Sequence, residues 1–374
     1  MFPRPSRRRL PIDPSVEHLR KQAKRLAAAQ SLALGHAQHQ LAQAYGCAGW
    51  TDLLRLVEQL RSGASQPADG QGPMRPLPDA ANRGDLAQVR MLLGTGTFSR
   101  HDLDLALARA VLAFAQRQEI AELLIEHGAD PDGQYGAGYG PIVLVTGECL
   151  DPDGLAFLIR HGADVAFAPV MSKYGPTSPL IATLGSYLRG ANERKRRCID
   201  LLLNAGARLP DEVTPAMLAI HRSDAAALRR ALAEDPDQIH RQHLRMPFGN
   251  LRLAGGMLLH LAVEVGSLAC MDLLLALGTD PNAHSAELDG CGGHTPIFHA
   301  IAVNQGAGLP VLEHLLRCHR ARIDLTAQAI LLVHGRRTPH ALTPAGYAAW
   351  TMADAPADWP RSSPRELALL RDGA

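Results

Sequence analysis

Aromatic residues are scarce in this sequence, and its cysteines, glycines and apolar residues nowhere gather into a recognisable device. Phe, Trp and Tyr together make up 4% of 374 residues, too few for a ring-filled β-sandwich interior. Six cysteines (Cys47, Cys149, Cys198, Cys270, Cys291, Cys318) stand singly, with no CxxC spacing. A disulfide framework is not expected in so long a chain, and the thiols are expected reduced and packed as small hydrophobes in a cytoplasmic protein. No apolar stretch approaches the ~18–20 residues of a membrane span, so a membrane is not an expected partner. The opening MFPRPSRRRLPIDPS is basic with no apolar segment behind it, unlike a secretory signal. There is no GxSxG nucleophile turn, no GxxxxGK[ST] phosphate loop and no HExxH metal helix. The glycine-rich pieces, GQYGAGYG from Gly133 and DGCGGH from Asp289, do not stand between a strand and a helix, and tight turns account for them. Neither catalysis nor a bound cofactor is expected.

What the sequence does have is Ala, Leu and repetition. Hydrophobic residues reach 46% and charged residues 20%, which excludes disorder over the whole length. One phrase, an apolar pair followed by Gly-Ala-Asp or a close variant, recurs as LLIEHGADPD from Leu123, LIRHGADVAF from Leu158, LLNAGARLPD from Leu202 and LLALGTDPNA from Leu274. Gly128 and Gly162 are 34 residues apart, and Gly206 and Gly278 are 72 apart, about twice that period. A second phrase opens with a capping residue or its equivalent: SPLIATL from Ser178, TPAMLAI from Thr214, MLLHLAV from Met257, TPIFHAI from Thr295 and TPAGYAA from Thr343. Ser or Thr caps a helix, and Pro at its first position has no N–H to leave unbonded. Gly after a second helix takes the left-handed conformation that ends it. Each short helix carries one apolar stripe, which one unit alone cannot bury, so units must stack.

At these residues the chain resembles the ankyrin-repeat family, with its period of about 33 residues and T-P-L-H-x-A signature. The resemblance is closest over Leu258–Asn282, good over Thr295–Leu316 and partial over Leu77–Leu93. It implies an all-α solenoid of about eight irregular units over 77–374, closed by a C-terminal cap ending RELALLRDGA. His260 stands at the signature His, whose role in the family is to hydrogen-bond neighbouring backbone. Residues 1–62 read as separate helices, VEHLRKQAKRLAAA and two more broken at Gly46 and Gly49. Through LRKQAK at Leu19–Lys24, HAQHQLAQAYG and Trp50, this stretch is similar to a small helical module that precedes ankyrin arrays in bacterial proteins. Residues 63–76 are expected as a flexible linker.

The resemblance implies a partner protein, held by the hairpins and inner helices. Tyrosine is rare, yet Tyr135, Tyr139 and Tyr174 fall at loop positions, with Lys173 beside one of them and His284, Glu287 and Asp289 at a later tip. Tyrosine in a mixed polar surround is the composition of a binding hot spot. The irregular stretch from Ile239 to Gly256, with Arg241, Arg245, Arg252 and Phe248, is a second candidate loop. Two other readings stand beside protein binding. The first 62 residues carry ten basic and four acidic side chains, a net +6 against +1 for the chain, so they suit nucleic acid phosphates or an acidic surface. An unusual enzyme or ligand binder on the same scaffold is the third reading. Cys291, His294 and His299, with His314, Cys318 and His319 one helix later, raise a metal site. It is set aside, since a closed zinc site needs four converging ligands.

Overall fold

The structure, a computed structural model, describes residues 16–30, 32–44, 50–51, 53–54, 57, 75–133, 146–166, 170–172, 175–186, 188, 190–243, 255–287, 290–303, 306–331, 340–353 and 362–371. Short helices dominate them. The first two are α1 (Val16–Gln30) and α2 (Leu34–Ala44). They pack on each other, and Leu19, Ala23, Leu41 and Ala42 join Leu53 and Val57 in a buried cluster distinct from the large core that follows.

From Pro76 onward the helices fall into two ranks, most of them paired with a neighbour in the other rank. The first-rank members are α3 (Pro76–Arg83), α5 (Arg100–Val111), α8 (Pro179–Leu184), α10 (Pro215–His221), α12 (Leu258–Val265) and α15 (Pro344–Ala353). The second rank is α4 (Leu86–Thr95), α6 (Phe114–Glu126), α7 (Pro152–Arg160), α9 (Asn192–Asn204), α11 (Ala225–Glu234), α13 (Leu268–Ala276), α14 (Leu309–His319) and α16 (Pro364–Arg371). Each rank packs along itself: α3 on α5, α10 on α12, α4 on α6, α6 on α7, α7 on α9, α11 on α13, α14 on α16. One core runs the length of this stack, from Leu77 to Leu370. The sequence expectation of an all-α repeat array is therefore met.

The expected caps explain the helix starts. Ser178 Oγ accepts from the Ile181 N–H and Thr214 Oγ1 from the Met217 N–H, Thr343 Oγ1 accepts from the Gly346 N–H, and Asp85, Asp151 and Asp224 cap second-rank helices in the same way. The expected glycines explain the ends: Gly128, Gly162, Gly206 and Gly278 have φ of 93°, 88°, 97° and 93°. One phrase departs from expectation. TPIFHAI forms only a 3₁₀ turn over Pro296–Ala300, without a side-chain cap from Thr295. The following segment returns at once against this turn: a Cβ on Gly308 would collide with the Ala300 carbonyl oxygen. That close approach leaves no room for another helical turn.

Candidate binding surface

The ends of the later units are joined side by side through their connecting loops. His243 pairs with Gly256 (N···O 2.9 Å), the Gly255 carbonyl accepts from Ala286 (3.0 Å), and Ser285 donates to the His294 carbonyl (2.9 Å). Gly292 and Ile330 exchange two bonds of 2.9 Å. Ile330 lies in β3 (Ala329–Leu331), which pairs antiparallel with β4 (His340–Leu342). A shorter hairpin, β1 (Val170–Ser172) with β2 (Gly175–Thr177), stands before α8. The ends of the Ile239–Gly256 stretch thus belong to this ribbon, while residues 244–254 lie outside the described residues.

Two sequence-predicted binding residues are visible on the ribbon. His284 and Glu287 are both exposed. The imidazole of His284 is tethered by Nδ1–H donating to the Gly293 carbonyl at 2.5 Å, and its own carbonyl accepts from Gln242 Nε2 at 3.1 Å. Tyr135, Tyr139, Lys173, Tyr174 and Asp289 lie outside the described residues.

Beneath the ribbon sits a buried polar layer. His260, wholly buried, accepts from the Met257 N–H at Nδ1 (3.1 Å) and donates from Nε2 to the His294 carbonyl (3.0 Å). The signature histidine therefore locks its own helix start to the next unit's loop. His294 packs edge-on to His260 and His299, at ring distances of 5.7 and 4.8 Å. Ser285 Oγ accepts from the His294 N–H (3.2 Å) and is hydrogen-bonded to His294 Nδ1 (2.9 Å). His299 Nδ1 meets the buried Glu264 carboxylate at 2.7 Å. Burial, reinforced by the charge of His299, pushes His260 down to about 3 and His294 down to about 2, so both rings are neutral.

The histidine–cysteine group raised by the sequence is thereby divided in two. His294 and His299 belong to this interior, away from solvent. His314 and His319 instead converge on Asp272, which no sequence motif had marked. Asp272 Oδ1 lies 2.8 Å from His314 Nε2 and 3.3 Å from His319 Nε2. Burial works upward on the Asp272 carboxyl, but the two imidazoles outweigh it and hold it below the ordinary range.

A further set of contacts had a visible but unread signal. Asp132 Oδ1 accepts from the Asp164 N–H at 2.7 Å, and Asn282 Oδ1 from the Asp324 N–H at 2.8 Å. Asp132 and Asn282 stand two residues after the Asp of a Gly-x-Asp phrase, so at these two places one turn holds a later one. On another edge, a half-open groove of about 340 Å³ is lined by Asn192, Ser223, Ser267, Leu268 and Val311 among others. No helix among the described residues is long and apolar enough to cross a membrane.

The family model for the ankyrin repeat matches residues 257–286, the stretch holding α12, α13 and His260. The ankyrin-repeat domain of human ASB11 is a similar solved structure at 18% identity, covering 59% of this chain and 90% of that one, with a TM-score of 0.38. No curated protein matches the sequence. The paired helices, the glycine-ended turns, the backbone-locking histidine and the family match at 257–286 mark that stretch as an ankyrin repeat within an all-α array of stacked helical units.

Proposed function

We propose that this array is a protein-binding module that holds its partner along the row of hairpin ends. The observation that carries this reading is the hydrogen-bonded ribbon from His243 to His340, which presents His284 and Glu287 to solvent above a buried layer. A surface held in place before binding loses little conformational freedom when a partner docks. The loop tyrosines Tyr135, Tyr139 and Tyr174, with Lys173, extend the same face toward the N-terminus in this reading, and Asp289 adds to the acidic end. The amphipathic ring of tyrosine suits a surface that must be wet when free and covered when bound.

The test is capture from cell extract on the immobilised full chain, identification of what is retained, and comparison of variants. Tyr139→Ala with Tyr174→Ala, and separately Glu287→Lys, are expected to weaken retention about thirtyfold, the equivalent of ~2 kcal/mol. Melting temperature should hold. Undiminished capture by both variants would place the binding face elsewhere. Retention of nucleic acid instead, lost as salt rises, would move the function to the basic N-terminal residues.

A further inference from the structure

Asp272, His314 and His319 bring three metal-ligating atoms within 4.8 Å of one another, from two different units of the array. Asp272 comes from α13, while His314 and His319 come from α14 and its last residue. Both Nε2 atoms face one carboxylate oxygen, at 2.8 and 3.3 Å. A tetrahedral zinc ion with bonds of about 2.0–2.1 Å separates its ligands by about 3.4 Å, and the two nitrogen–oxygen distances already stand near that spacing. The imidazole side chains are largely covered, at 13% and 19% exposure, and the carboxylate is half exposed. The rings are thus held while one side of the cluster stays open to solvent. Cys318 Sγ lies 4.0 Å from Nδ1, the other ring nitrogen of His314.

We propose that Asp272, His314 and His319 form a three-ligand site for a divalent transition ion, zinc above all, that clamps α13 to α14. The donor set of two imidazoles and one carboxylate selects Zn²⁺, Co²⁺, Ni²⁺ or Cu²⁺ over Mg²⁺ and Ca²⁺, which take oxygen. Water fills the remaining position. On binding, each Nε2 gives its lone pair to the ion and its ring proton moves to Nδ1, for which Cys318 Sγ is an acceptor beside His314. In each ring one Nε2–H bond is exchanged for one Nδ1–H bond, and no proton leaves the imidazole.

The experiment uses the untagged full chain, stripped with chelator and exchanged into metal-free buffer. Zn²⁺ is titrated against a chromophoric chelator, and Co²⁺ is followed by its visible absorption. One equivalent is expected to bind, with the melting temperature raised by a few degrees at saturation. His314→Ala with His319→Ala, and separately Asp272→Asn, should each weaken binding at least tenfold, since even a partner that only orients a ligand is worth that much. Asp272→Asn keeps the shape of the side chain and guards against misfolding of the double variant. Identical titrations for wild type and Asp272→Asn, or no zinc taken up by wild type at 100-fold excess, would overturn the site.

Discussion

At the scale of single residues, the layer of His260, His294, His299 and Glu264 couples stability to pH. His260 and His294 are held neutral by burial, at about 3 and about 2, against an ordinary value near 6.5. Below pH 6.5 the unfolded chain takes up two protons that the folded chain refuses. Stability is therefore complete above that pH and is lost as pH falls from about 6.5 toward 3, by up to about 1.4 kcal/mol per pH unit for each ring. Glu366, raised by its burial, works in the opposite direction in the more acidic part of that range, but it is one group against two. We expect the melting temperature to drop by several degrees between pH 7.5 and 5.5 at constant ionic strength; an unchanged value would show that these rings titrate normally in the fold. The role of His260 was legible in the sequence, because its place in the signature implies a backbone partner. The role of Asp272 was not. A lone aspartate on a helix carries no pattern, and only stacking brings it to two histidines more than forty residues away.

At the scale of elements, two glycines that look alike in the sequence have different reasons to be there. Gly162 ends α7 at φ 88° with open space around it, whereas Gly154, inside α7, lies so close to α5 that a Cβ would meet the Val111 carbonyl oxygen. Gly162→Ala is expected to cost about 1 kcal/mol, the penalty of the left-handed conformation. Gly154→Ala should cost about 2–3 kcal/mol, since backbone must shift to admit it. Urea unfolding midpoints of the two variants check the order; a milder effect at Gly154 would mean that α7 moves freely on α5. The caps and left-handed glycines were readable because they are local, decided within four residues. The 3₁₀ turn at Pro296–Ala300 was not, since what shortens it is Gly308, brought back by the chain against the Ala300 carbonyl.

At the scale of the whole molecule, a stack whose units bury their faces only on neighbours depends on its last unit. Helix α15 packs on the 3₁₀ turn, with Tyr347 6.1 Å from Phe298, and α16 packs on α14. Ending the chain before Thr343 would uncover Phe298, Leu312 and Leu316, all buried now. The truncated protein is expected to melt lower and to aggregate on gel filtration; a monodisperse product with an unchanged melting temperature would show that the cap is dispensable. The turn-to-turn bonds carry a consequence for how such a chain changes over time. Asp132 reaches a backbone 32 residues on and Asn282 one 42 residues on, yet the bonds measure 2.7 and 2.8 Å. Ten additional residues have left the bond between those turns unaltered. Growth inside a unit is thus compatible with an unbroken bond from turn to turn, so a unit can lengthen elsewhere while the spine keeps its link.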